Sequence, residues 1–189
     1  MTDIDRLRRF VATAEELLAT RYVAHVLERK GTNLKIDFKV GELTTKLNTP
    51  DKEASKAMIL TARMFVQERD QISLDKVDSI AKGGSLSKEW TSLVTAICKK
   101  FNEYLDANAL AKVDNVTVTR RDILETFLYG HYAHLNADKE ELYQKWAKTP
   151  LLFQMYEFEF HSTLTAVFTT VAKISRLSKM ELEGEVPSL

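Results

Sequence analysis

One cysteine, six glycines, three prolines and no net charge are the scarcities of this 189-residue chain. With Cys98 alone, no disulfide framework and no cysteine-built zinc ribbon can form. Six glycines, none at the required spacing, exclude a phosphate-cradling loop. No stretch approaches the ~18 consecutive apolar residues of a membrane span, and Glu15 and Glu16 interrupt the place where a signal peptide would carry its apolar core. These absences predict a cytoplasmic protein. Balanced charge, 27 basic against 27 acidic residues, argues against a surface coated for phosphate. The strongest basic cluster is Arg6, Arg8 and Arg9; it and the acidic end at Glu181, Glu183 and Glu185 read as solvated termini.

What is present is enough for a core. A hydrophobic fraction of 44% excludes a disordered chain, and this length buries roughly 70% of the unfolded surface without staples. Residues 1–189 read as a single all-α domain, with Gly83-Gly84-Ser85 as a possible hinge between two helical halves.

Helical periodicity dominates. Leu7, Phe10, Val11, Ala14, Leu17 and Leu18 predict one helix over about 5–30, stopped at Gly31. Leu34 to Val40 alternates as a short extended connector. Pro50 precedes a helix over 52–69, and Ser73 caps a short one over 73–81. Over 87–110 the stripe is Leu86, Trp90, Leu93, Ile97, Phe101 and Tyr104, with Cys98 beside it as a buried, inert thiol. A second connector, Val116–Thr119, leads to a helix over 120–135 with Thr119 as its cap and Asp122 in support. Helices over 138–148 and 150–180 complete a single bundle of five to six main helices joined by short extended connectors.

The densest candidate chemistry is Tyr129-Gly130-His131-Tyr132-Ala133-His134. His131 and His134 share a helical face with Ile123 and Phe127, so their rings are expected toward the core. Three uses stay open for them: hydrogen-bonded core residues, a general acid–base pair, or metal ligands joined by Glu157 and His161. Gly130 inside a helix signals close packing, a kink or room for a ligand. The stripe of the last helix is Phe153, Tyr156, Phe160, Leu164, Val167, Val171 and Ile174; Leu152, Met155 and Phe158 fall beside it, so this helix is apolar over more than one face, which suits burial on two sides or a partner surface.

A helical bundle whose late helix carries an arginine and a histidine resembles HEPN-type domains, small all-α proteins of bacterial toxin and defence systems. The family signature is an arginine, four to six residues, then histidine, serving metal-independent RNA cleavage at a dimer interface. Ten and nine residues lie between Arg120 or Arg121 and His131, and three lie between Arg21 and His25. The resemblance therefore covers architecture over about the last 100 residues and implies a diverged or non-catalytic relative. Two expectations follow. The first is a protein-interaction module acting as a homodimer, with no cofactor and no metal. The second is a ribonuclease in which Arg120 holds phosphate while His131 and His134 share proton transfer.

Overall fold

Thr2 opens the first helix with a reciprocal capping pair: its hydroxyl accepts from Asp5 N at 3.2 Å, and Asp5 Oδ2 accepts from Thr2 N at 3.1 Å. The computed structural model describes residues 1–29, 52–65, 73–113, 116–133 and 136–189. Among them the fold is predominantly helical, with one two-stranded sheet. Gly31, the run 34–40, Pro50, the end of the helix predicted over 52–69, His134 and Leu135 lie outside the described residues.

Helix α1 (Asp3–Leu18) buries Leu7, Phe10, Val11, Ala14 and Leu17, the predicted face. The single helix expected over 5–30 is two. Thr20 Oγ1 donates to Leu17 O at 2.8 Å and accepts from Val23 N at 3.4 Å, so one hydroxyl ends α1 and starts α2 (Arg21–Arg29). Helix α3 (Lys52–Arg63) follows, and α4 (Leu74–Gly83) starts on its predicted Ser73 cap. Gly84 ends α4 at φ 68°, the left-handed conformation in which glycine costs least.

Helix α5 (Lys88–Asp106) is shorter than predicted, and its buried ridge is Trp90, Val94, Cys98, Phe101 and Leu105. Leu93, Ile97 and Tyr104 flank that ridge half-buried. The helix packs against both α4 and the last helix, which moves the centre of its buried face onto Cys98. Glu181 does not merely solvate an end: it accepts from the backbone N–H of Ser87 at 2.8 Å, where a negative charge meets the positive end of α5.

Strand β1 (Asn108–Val113) takes in residues 108–110, expected to end the preceding helix, and pairs antiparallel with β2 (Val116–Thr119), with an irregularity between Asn108 and Lys112. Ala109 of β1 and Val118 of β2 are buried. Thr119 and Asp122 form the predicted capping pair for α6 (Arg120–Glu125). Without a break the helix then widens into a π-helix, Thr126–Tyr132, closed by Ala133 N donating to Leu128 O at 2.8 Å. Helix α7 (Ala137–Ala147) starts on Asn136, and α8 (Pro150–Leu182) carries proline in its first turn.

At 33 residues α8 is about 50 Å long and forms the axis of the bundle. It packs against α1, α2, α5, α6, α7 and β1. Tyr156, Phe160, Leu164, Val167, Phe168, Val171, Ile174 and Leu177 are buried along it.

Candidate functional site

Gly130 sits within the π-helix where the next helix crosses it. A Cβ there would lie 2.4 Å from the carbonyl oxygen of Lys139 and 2.9 Å from the amide nitrogen of Glu140, so α7 rests directly on its backbone. Close packing is the resolution of the three meanings that glycine carried. Lys139 reinforces the contact, its Nζ lying 3.3 Å from Glu125 and 4.0 Å from Asp122.

The widened turn also moves the histidine. In an α-helix position 131 would follow Phe127 by one turn and share its inward face. With π spacing the residue five places on takes that role: Phe127 and Tyr132 both stack on Phe160, at 4.6 and 6.0 Å between ring centroids. His131 swings outward and is exposed, contrary to the expected inward ring, and stacks on Tyr143 at 4.6 Å and 8°. His134 lies outside the described residues.

Arg120 begins the same helical rod on which His131 ends. Eleven residues at ~1.5 Å rise separate their backbones by roughly 16 Å, and the two side chains go to different neighbours. The Arg120 guanidinium reaches Glu159 of α8, with Nε to Oε1 at 2.6 Å, and lies 4.6 Å over the Tyr104 ring. Glu159 is buried, 7% exposed; a lone carboxylate there would be costly, and Arg120 neutralises it. Glu159 did not emerge from the sequence as Arg120's partner. Its position does signal the role: it is the one acid between Tyr156, Phe160 and Thr163 on the inward face.

Around the π-helix the aromatic residues form one layer. Phe127 meets Phe153 at 5.7 Å, Tyr143 at 5.2 Å and Trp146 at 6.5 Å, joining the π-helix, α7 and α8. Glu157 and His161, one turn apart on α8, border this layer. His161 lies edge-on to Phe160 at 5.3 Å, and burial pushes its imidazole down to about 4, so it is neutral near pH 7. Burial pushes the Glu157 carboxyl above its ordinary range. Desolvation raises the Tyr132 hydroxyl to about 12, with the Glu157 charge adding to the effect. Among the described residues, no three His, Cys, Asp or Glu side chains converge to hold a metal ion. Cys98 is buried, and burial pushes its thiol up to about 12, the inert state expected of it.

The same helix also presents apolar side chains to water. Leu151 is 73% exposed, Met155 44% and Phe158 46%. Their spacing of four and three keeps them on one face. The sequence marked Met155 and Phe158 as lying beside the main stripe; Leu151 joins them because Leu152 turns inward. No family model, curated protein or solved structure matches this chain.

Proposed function

We propose that the protein is a non-enzymatic interaction module that self-associates through the first two turns of α8, as a homodimer. The observation that carries this reading is the exposed Leu151–Met155–Phe158 stripe. Burying large apolar side chains is worth ~1.5–3 kcal/mol each, and leucine, methionine and phenylalanine in one row suit the anchor of an interface. A two-fold axis near Met155 would set each copy's Leu151 against the other's Phe158, the self-complementary arrangement of isologous dimers. Among the described residues no helix is long and apolar enough to cross a membrane. The reading puts the module in the cytoplasm, where a lone thiol stays reduced.

Sedimentation equilibrium tests it. The wild type is expected to run as a dimer at micromolar concentration, and Leu151→Asp with Met155→Asp as a monomer with unchanged circular dichroism. A wild-type monomer at 100-fold higher concentration than the assay would overturn the proposal. The ribonuclease reading assigns phosphate binding to Arg120, which already neutralises Glu159 and stacks on Tyr104; the interaction reading leads for that reason. Cleavage of single-stranded RNA that is lost in His131→Ala, with folding intact, would reverse the order.

A further inference from the structure

Between α5 and α8, away from the exposed stripe, lies an open groove of about 270 Å³. Ile97, Phe101 and Tyr104 supply an apolar, partly aromatic floor from α5, and Thr170 supplies a hydroxyl from α8. Lys100 stands on the α5 rim and Lys173 on the α8 rim, both exposed. Among the described residues neither ammonium has a carboxylate within ion-pair distance. Packed helices lie ~8–10 Å apart axis to axis, a span that two lysine stems bridge from opposite sides.

We infer that this groove binds a small amphiphilic organic anion, a flat apolar body bearing one carboxylate. The body lies on Phe101 and Tyr104, and the carboxylate sits between Lys100 and Lys173 with Thr170 as an additional donor. Shape and charge both select this class. The groove is open along its length between two helices, a shape that takes a flat body lying on its floor. Two unpaired ammonium groups at facing rims favour one anionic head group between them and oppose a cation. The site is independent of the dimer surface, being built from residues 97–104 and 166–173 instead of 151–158.

The test is an NMR titration of the full-length, ¹⁵N-labelled protein with 2-naphthoate, and with its neutral analogue 2-naphthamide. Expected are amide shifts centred on Lys100, Tyr104, Thr170 and Lys173, and naphthoate binding tighter than naphthamide binding. Lys100→Met and Lys173→Met should each weaken naphthoate about fivefold, the upper end for a solvent-exposed ion pair, and leave naphthamide unchanged. Raising salt should weaken naphthoate alone. Both substitutions are on exposed side chains, so the unperturbed part of the spectrum reports folding in the same experiment. Equal affinity for the neutral amide, shifts centred on Leu151–Phe158, or no binding at millimolar naphthoate would each overturn the inference.

Discussion

Helix α8 runs through two different environments. Beyond about Ala166 it faces α1 and α5 in a close-fitting interface of Val167, Val171, Ile174 and Leu177. Two polar contacts tie it: the Trp90 indole N–H donates to Ser178 Oγ at 3.2 Å, and Glu181 accepts from the start of α5. Before Ala166 the helix faces the π-helix and α7. There it carries an ion pair at Glu159, two titratable groups shifted by burial at Glu157 and His161, and three large apolar side chains that are partly exposed. Stability alone accounts for the first half. The second half departs from local rules in several ways at once, and such departures concentrate where a protein does something other than fold.

The sharpest test of that contrast is Gly130→Ala. Helix propensity alone predicts a gain of about 1 kcal/mol. The Cβ would instead meet the Lys139 carbonyl carbon at 2.7 Å, and backbone cannot swing aside as a side chain does. A net loss of about 3 kcal/mol or more is expected from overpacking, measured by urea unfolding. A stabilised variant would show that α7 is not seated on the π-helix.

Glu159→Gln comes next. It leaves Arg120 facing a neutral amide and should cost about 2–3 kcal/mol, reduced from the fully buried case because Arg120 retains some contact with water. The double replacement Arg120→Met with Glu159→Met should restore most of the loss. Additive losses in the double-mutant cycle would deny the coupling.

Acid sensitivity should belong to the part of α8 before Ala166. His161 in the folded chain titrates at about 4, against an ordinary 6.5, so between those values the unfolded chain holds more protons and stability falls as pH falls. The loss is on the order of 2–3 kcal/mol for a half-buried ring, complete below about pH 4 and absent above about 6.5. His161→Phe should flatten that window. Glu157 acts in the opposite sense: its raised carboxyl favours the protonated folded form, so stability falls as pH rises past the ordinary carboxylate range, and Glu157→Gln should be more stable than wild type at pH 7. The smallest stability change, within ~0.5 kcal/mol, is expected for Leu151→Asp, the substitution with the largest effect on self-association.

Periodicity and punctuation carried most of the helical architecture. Ser73, Thr119 and Asp122 fulfil the capping roles their types suggest, because a side-chain oxygen beside free backbone N–H groups is a local interaction that needs no distant partner. The buried face of α1 and the stripe of α8 followed from spacing for the same reason: a helix must turn its apolar side to something. Thr20 also acts locally, yet the apolar pattern continued across it and hid the break between α1 and α2. The β1–β2 hairpin was half hidden as well, since Asn108–Val113 continues a helical stretch in composition and only pairing with β2 makes it a strand.

The site was less legible. The sequence determined that Arg120, His131, His134 and a dense set of aromatics occupy the last 100 residues, and that Gly130 interrupts them. It could not determine that Gly130 meets a carbonyl of α7, that the helix widens there, or that His131 consequently turns outward while Tyr132 takes its place against Phe160. Nor could it pair Arg120 with Glu159, 39 positions away, or open a groove between Lys100 and Lys173. Each of these depends on which helices become neighbours. Periodicity states only that an apolar face will be covered, whereas the energy of a close contact or a buried charge is decided by the particular atoms that cover it.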